Sequence, residues 1–188
     1  MNISVIGLGR LGLPFSFFLA SKGHKVLCFD KNLNIKNQLN EKQNIEPELG
    51  YYIKKYKKRV FIQDKVNKLI SNTKISFIVL PTPSNKDGSF SNSFIFNSLD
   101  EISLTLRFKK NSNHIIVITS TVSPGSCDLF VKYLEKKGLK NKIDFSFVYN
   151  PHFIAQGTTL KNLEKPDLIL IGTNNDKTKK IINNFYNK

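Results

Sequence analysis

The stretch ISVIGLGRLG, residues 3–12, decides the fold of this chain. A short apolar strand runs into a G-x-G-x-x-G loop, and the pattern of an apolar helix follows directly. The first glycine permits a tight turn, the second lets a pyrophosphate approach the backbone, and the third lets the helix pack against the sheet. The helix's first N–H groups and its positive dipole end would face the phosphates. We therefore predict a dinucleotide-binding loop that contains Gly7, Gly9, Arg10, Leu11 and Gly12.

An acidic residue closes the second strand, where dinucleotide-binding folds hold the adenosine ribose. The apolar segment 25–30 ends on Asp30, whose carboxylate can accept hydrogen bonds from the ribose hydroxyls. A carboxylate repels a 2′-phosphate, so Asp30 favours NAD over NADP as the cofactor. Lys31, which we also assign to the cofactor site, weakens this preference slightly. The alternative is a strand, turn and helix that hold no ligand.

Strands and helices alternate along the rest of the chain, which is typical of a parallel sheet with crossover helices. Apolar runs predict strands at residues 3–6, 25–30, 60–62, 75–80, 114–119, 145–149 and 168–171. Helices are predicted at about residues 11–22, 33–40, 65–71, 93–108, 123–137 and 176–185, and from residue 49 onward. We predict an α/β Rossmann fold, with a doubly wound, mostly parallel sheet in three α/β/α layers. It would form a single NAD-binding domain over residues 1–188.

The formal net charge of +15 raises the alternative of a nucleic-acid-binding protein. The densest basic cluster, residues 54–59, lies in a predicted surface helix and its exit. No recognised nucleic-acid motif accompanies this charge, so we expect no nucleic-acid partner. The positive field would still attract anionic cofactors and substrates.

The sequence lacks the patterns of a membrane or secreted protein. No apolar run is long enough to cross a bilayer, and the start of the chain does not resemble a signal peptide. We therefore expect a cytoplasmic protein without a membrane partner. Cys28 and Cys127 lie far apart, and His24, His114 and His152 are scattered, so we predict neither a disulfide framework nor a metal site.

Three later segments resemble motifs of the UDP-glucose/GDP-mannose dehydrogenase family. They are LPTP at residues 80–83, STVSPGS at 120–126 and NPHFIAQG at 150–157. Residues 46–47 and 166–167 also fall where that family has similar residues, so the similarity covers nearly the whole chain in the right order. Each of the three motifs follows a predicted strand. They would therefore meet at the carboxyl edge of the sheet, where open α/β folds bind ligands.

The resemblance implies an activity and a set of site residues. Members of this family oxidise the C6 alcohol of a nucleotide sugar to a carboxylate, in two NAD-dependent hydride transfers that pass through a cysteine-bound aldehyde and a thioester. The expected substrate is a UDP-sugar, and the expected process is polysaccharide biosynthesis. One possible partner is a second copy of the chain, in a homodimer. By resemblance, the ribose and nicotinamide would be lined by Pro81, Thr82, Pro83, Ser120 and Thr121. The alternative for Ser120 and Thr121 is that they cap the following helix.

The chain departs from the family pattern in two respects. The family's central helix and its UDP-sugar domain, with the nucleophilic cysteine, have no counterpart within these 188 residues. In the second, His152 stands where the family motif has a glutamate. By resemblance, the candidate catalytic residues are Thr121 and His152. An imidazole can relay protons near neutral pH, but we favour a loop residue under no catalytic demand. We expect the chain by itself to bind NAD without completing the oxidation.

Neither cysteine matches the family's nucleophile by motif. Cys28 lies within a strand and is predicted to be a packed core thiol. Cys127 lies near a predicted helix N-terminus, a position that can lower a thiol pKa.

Two other functions remain open from the sequence. A β-hydroxyacid dehydrogenase has an N-terminal pattern close to residues 7–14 and a stretch similar to residues 120–124, but residues 81–83 and 150–157 argue against it. A non-catalytic NAD-binding module is suggested by the missing cysteine and by His152.

Overall fold

A computed structural model describes residues 1–32, 35, 46–109, 111–155 and 157–186. The helix expected at residues 33–40 lies outside the described residues apart from Ile35. No helix in the described part of the chain is long and apolar enough to cross a membrane.

The described part of the chain forms a six-stranded sheet in which all neighbouring strands run parallel. Its strands are β1 (Asn2–Ile6), β2 (Lys25–Phe29), β3 (Val60–Ile62), β4 (Ile75–Ile78), β5 (His114–Ile118) and β6 (Phe145–Tyr149). They are arranged in the order β3-β2-β1-β4-β5-β6, which confirms the predicted doubly wound sheet. The direction of winding reverses between β1 and β4, which is the place where such sheets bind ligands.

Helices cover both faces of this sheet, as the three-layer prediction requires. They are α1 (Gly12–Ser21), α2 (Leu49–Tyr56), α3 (Val66–Asn72), α4 (Ser93–Leu106), α5 (Ser126–Lys136), α6 (Thr159–Glu164) and α7 (Asp176–Tyr186). One core cluster packs α1, α2, α6 and α7 onto one face, and a second packs α3, α4 and α5 onto the other. Side chains alternate between faces along a strand, so Val5 enters the first cluster and Ile6 the second. The short helix α6 is absent from the sequence prediction.

The strand expected at residues 168–171 is wrong. The apolar side chains of Leu168, Ile169 and Leu170 are 56%, 40% and 38% exposed, and the segment forms no strand. The chain reaches β6 just after this segment, where Gly172 forms a pair of antiparallel hydrogen bonds of 2.8 Å with Tyr149 and the Thr173 hydroxyl donates to the Phe147 carbonyl at 2.9 Å. The prediction failed because this segment has the apolar composition of a buried strand. It lies beyond the edge strand β6, where no other described element packs over Leu168, Ile169 and Leu170.

A chain of buried polar side chains crosses the middle strands of the sheet. The Ser4 and Ser76 hydroxyls lie 2.6 Å apart, and Ser76 Oγ lies 2.7 Å from Nε2 of His114. The Thr73 hydroxyl joins this chain at 3.1 Å from Ser4. Burial, and then the nearby Lys109 charge, lower the pKa of His114 to about 3, so its imidazole is neutral in the folded protein at pH 7.

Acid should destabilise the fold through His114. Its pKa lies below the value of about 6.5 in an unfolded chain, so its contribution is complete above pH 6.5 and is lost as the pH falls toward 3. The free energy of unfolding should fall by about 1.4 kcal/mol per pH unit in this range from His114 alone. Urea unfolding at pH 7 and pH 4.5 measures the slope, and His114→Gln should reduce it by that amount. An equal slope in the variant would contradict this assignment.

Candidate functional site

A cavity of about 880 Å³ opens at the carboxyl edge of the sheet, above the reversal between β1 and β4. This volume falls in the range of cofactor and small-molecule sites. The predicted site residues that line it are Gly7, Gly9, Arg10, Leu11, Gly12, Asp30, Lys31, Pro81, Thr82, Ser120, Thr121 and His152. Pro83 does not line this cavity; its carbonyl accepts a hydrogen bond of 2.8 Å from the N–H of Ser91. The structure therefore brings together the residues chosen from five separate segments, with this one exception.

The three glycines of the loop have different reasons to lack a side chain. A Cβ on Gly7, which has a φ of 94°, would lie 2.2 Å from the carbonyl oxygen of Val79. A Cβ on Gly12 would lie 1.9 Å from the carbonyl oxygen of Gly7. A Cβ on Gly9 would meet no atom within 4 Å, because it would project into open space. Gly9 thus leaves room at the backbone, as the approach of a pyrophosphate requires.

The start of α1 has the electrostatics of an anion site. No side chain caps this helix, and its first turn contains no acidic residue. Its N–H groups and positive dipole end therefore face the cavity without a neutralising carboxylate in that turn.

Asp30 stands at the end of β2 and holds the glycine loop in place. Its Oδ2 accepts a hydrogen bond of 2.6 Å from the N–H of Leu8, and its Oδ1 accepts one of 2.7 Å from the N–H of Asn32. A carboxylate has about four acceptor positions, so both oxygens can still accept from ribose hydroxyls. The sequence pattern predicted the contact with ribose but not this support of the loop.

The motif loops after β4 and β5 are tied to each other. The Ser120 hydroxyl accepts a hydrogen bond of 2.9 Å from the N–H of Leu80 and donates one of 2.7 Å to the Leu80 carbonyl. Thr82 Oγ1 donates to the carbonyl of Thr121 at 2.7 Å. The capping alternative is wrong, because α5 begins at Ser126, after Gly125, and has no side-chain cap. Ser120 instead sets the spacing of the two loops that line the cavity.

His152, in the loop after β6, is packed and electrically neutral. Its ring lies edge-on to Phe15, with centroids 4.7 Å apart, and its Nε2 lies 3.2 Å from the hydroxyl of Tyr186. That hydroxyl donates to Asn150 Oδ1, so it accepts a hydrogen bond from the N–H at His152 Nε2. Burial lowers the pKa of His152 to about 4. This environment does not suit a proton relay near neutral pH, the less favoured of the two interpretations of His152, because the imidazole does not titrate there.

Glu46 is the site-forming residue whose role sequence reasoning missed. It is only 2% exposed, and its carboxylate accepts hydrogen bonds from the N–H of Gly157 at 3.0 Å and from the N–H and hydroxyl of Thr159 at 3.2 and 2.7 Å. Burial by itself would raise the pKa of Glu46, but these three hydrogen bonds hold it below its usual range. Glu46 thereby joins the segment before α2 to the end of the loop that carries His152. The Glu46-Pro47 similarity was the available signal, but it did not reveal the partners.

The two thiols are not activated. Burial raises the pKa of Cys28 to about 12, and its Sγ donates to the Ser16 hydroxyl at 3.4 Å, which confirms a core thiol. Burial, and then the Asp128 charge, raise the pKa of Cys127 to about 11. A lowered pKa, which its position near a helix N-terminus would have allowed, is therefore not found for Cys127. Neither thiol lines the cavity described above.

The fold and the cavity define a dinucleotide-binding domain of the Rossmann type. The family model of the UDP-glucose/GDP-mannose dehydrogenase family, NAD binding domain, matches residues 1–188. This chain belongs to that family, and the cofactor of the domain is NAD.

Known relatives agree with this assignment. UDP-glucose 6-dehydrogenase of Rickettsia bellii is 32% identical over 99% of this chain and 42% of its own length. GDP-mannose 6-dehydrogenase of Pseudomonas aeruginosa is 28% identical over 99% of this chain and 44% of its own length. A ternary complex of GDP-mannose dehydrogenase from Pseudomonas aeruginosa superposes with a TM-score of 0.93 at 27% identity, over 100% of this chain and 44% of that one. The chain thus spans less than half the length of these relatives, and the family match decides against the β-hydroxyacid dehydrogenase alternative.

Removing the negative charge of Glu46 should destabilise the protein. Glu46→Gln replaces an acceptor oxygen with an N–H₂ group that faces donors, and each hydrogen bond to a charged group contributes about 1.5–3 kcal/mol. We expect the free energy of unfolding, measured with urea at pH 7, to fall by about 2 kcal/mol. The control Glu48→Gln changes an exposed carboxylate and should stay within about 0.5 kcal/mol of the parent. Equal losses in both variants would contradict the role of Glu46.

Proposed function

We propose that residues 1–188 form the NAD-binding domain of a nucleotide-sugar 6-dehydrogenase, a protein that oxidises the C6 alcohol of a sugar to a carboxylate in two NAD-dependent steps. The observation that carries this proposal is one cavity lined by both the glycine loop and the three motif loops of the family. A UDP-sugar is the proposed substrate, since UDP-glucose 6-dehydrogenases are among the relatives at about 30% identity or above. A cytoplasmic location, a role in polysaccharide biosynthesis and a homodimer are parts of the same proposal.

The cavity residues fit NAD in a definite order. The pyrophosphate would lie on the N–H groups at Gly9 to Gly12, where the absence of a Cβ on Gly9 leaves open space. Asp30 would accept from the adenosine ribose hydroxyls, with Lys31 beside it. Pro81, Thr82, Ser120 and Thr121 would border the nicotinamide end. NAD, when bound, supplies the hydride acceptor, and the protein supplies orientation and charge.

Thr121 and His152 have different proposed roles. The Thr121 side chain lines the cavity and is exposed, so its hydroxyl is placed to orient a cofactor carbonyl, a substrate oxygen or a water. His152 is neutral and fixed between Phe15 and Tyr186, so we assign it to holding the loop rather than to proton transfer.

The chain by itself is proposed to bind the cofactor without completing the oxidation. The family's chemistry requires a thiolate, and thiols with pKa values raised by burial remain protonated at neutral pH. The central helix and UDP-sugar domain of the family, absent from these 188 residues, would supply that group.

Substitutions in the glycine loop should separate cofactor binding from folding. Gly9→Ala adds a methyl group that meets no protein atom, so the melting temperature should stay unchanged while the affinity for NAD falls at least about tenfold. Gly12→Ala forces a methyl group against the Gly7 carbonyl and should lower the free energy of unfolding by about 3 kcal/mol. Calorimetric titration and thermal unfolding measure the two effects. Undiminished NAD binding by Gly9→Ala would refute the proposed phosphate site.

Asp30 should set both the affinity and the choice of cofactor. Calorimetric titration of the parent should show binding of NAD and weaker binding of NADP, because the carboxylate repels a 2′-phosphate. Asp30→Ala should weaken NAD binding by about tenfold or more, since hydrogen bonds to charged groups contribute about 1.5–3 kcal/mol. The control Asp87→Ala removes an exposed carboxylate outside the cavity lining and should bind as the parent does. No binding of NAD at millimolar concentration would refute the proposed function.

A further inference from the structure

The amino edge of the sheet, opposite the cofactor cavity, carries a dense row of basic side chains that the function of the cavity does not use. The connections that enter β2 to β6 contribute Lys22, Lys25, Lys57, Lys58, Arg59, Lys74, Arg107, Lys109, Lys137, Lys140 and Lys142. We call this set the basic edge. At a spacing of about 4.8 Å between strands, it extends over about 24 Å along the sheet.

Acidic residues do not balance the basic edge. Within the described residues of the same connections, Asp144 is the single acidic side chain, and its oxygens accept hydrogen bonds from the N–H groups of Asn111 and Lys140 at 2.9 and 2.8 Å. Of the basic side chains, Lys137 forms an ion pair of 2.6 Å with Asp100. Lys109 is half-buried, and its Nζ donates to the carbonyls of Ile70 and Thr73 at 2.8 and 2.6 Å, at the C-terminal end of α3.

The opposite edge has a nearly balanced charge. The described residues that follow the strands and precede the next helix include four basic and five acidic ones: Arg10, Lys31, Lys65 and Lys86, and Asp30, Glu46, Glu48, Asp64 and Asp87. A lysine-rich composition alone would place lysines on both edges. The macrodipole of each helix favours cations at its C-terminal end and accounts for part of the difference.

Exposed apolar side chains stand at the tips of two loops of the basic edge, and the macrodipole does not account for them. Phe108 is 93% exposed and lies between Arg107 and Lys109. Ile143 is 47% exposed and directly follows Lys142. These loops are neighbours, since the N–H of Asn113 donates to the carbonyl of Ile143 at 2.9 Å. Apolar tips flanked by lysines are typical of surfaces that enter the headgroup region of a membrane.

We propose that the basic edge docks onto an anionic lipid surface, with Phe108 and Ile143 entering the headgroup region. Single-stranded nucleic acid is the alternative polyanion. Proteins bind it with aromatic side chains that stack on the bases in a groove, and Ile143 has no aromatic ring. This proposal replaces the expectation of no membrane partner, which rested on the absence of a long apolar run, because peripheral docking requires no membrane-spanning segment. Because the cavity lies at the other edge of the sheet, it would face away from the lipid and stay open to soluble ligands.

Vesicle sedimentation tests this proposal. The protein should bind vesicles made of equal parts phosphatidylcholine and phosphatidylglycerol at low ionic strength, and should bind neither pure phosphatidylcholine vesicles nor the mixed vesicles in high salt. Equal binding to both compositions, or no binding to the anionic vesicles, would overturn the proposal. So would tighter binding of a short single-stranded oligonucleotide than of the anionic vesicles.

Charge-matched variants locate the docking face. A triple variant that combines Lys58→Glu, Lys74→Glu and Lys140→Glu should bind the vesicles at least about a hundredfold more weakly. Each lysine near the lipid is expected to contribute a factor of roughly five to the affinity. The control Lys86→Glu, Lys132→Glu and Lys161→Glu has the same net charge but lies off the basic edge, so it should lose much less affinity. Equal losses would overturn the proposed face. Circular dichroism melting verifies that each variant is folded.

A second pair of variants tests the apolar tips. Phe108→Ala should weaken binding by about tenfold, because a buried phenylalanine side chain contributes on that scale. Leu129→Ala removes an apolar side chain that is 55% exposed on α5, away from the basic edge, and should leave vesicle binding unchanged. Undiminished binding of Phe108→Ala would refute its insertion.

Discussion

The close approach of three backbone segments at the start of α1 is the constraint on which the cofactor cavity depends. Gly12 lies against the Gly7 carbonyl, and Gly7 lies against the carbonyl of Val79, just after β4. These contacts leave no space for a Cβ at either glycine, so they hold α1 directly over the reversal between β1 and β4. The helix N-terminus, with its positive dipole end, is thereby placed where the open sheet leaves room for a ligand. A larger residue in either position would push α1 away from this point.

Long-range hydrogen bonds give the rest of the cavity its shape. Parallel strands end at one edge, so the loops after β4, β5 and β6 meet there, but that convergence does not set their spacing. Ser120 sets the distance between two of these loops, and Asn150 and Glu46 fix the third. Most of these side chains act on backbone groups rather than facing a ligand. Their hydrogen bonds stabilise the site because buried polar groups are costly when unpaired.

The two edges of the sheet have different electrostatic character. The cavity edge combines a helix N-terminus with the carboxylate of Asp30, so both signs of charge line the cavity. The amino edge concentrates lysine and arginine side chains beside the exposed Phe108 and Ile143. The strand-to-helix connections therefore form the cavity edge of the sheet. The helix-to-strand connections form a second edge on the opposite side.

The sequence by itself determined the fold class and the family, and it predicted the phosphate loop and the ribose carboxylate, because all four depend on local spacing. Glycines at fixed intervals between a strand and a helix, and motifs placed directly after strands, keep their meaning without knowledge of distant contacts. Only the tertiary structure decided the environment of individual groups. It left Leu168, Ile169 and Leu170 exposed instead of in a strand, and it made His152 neutral. It also raised the pKa of Cys127 and gave Glu46 its partners more than a hundred residues away. Burial, desolvation and long-range hydrogen bonds depend on which segments pack together, and local patterns in a single sequence do not specify that packing.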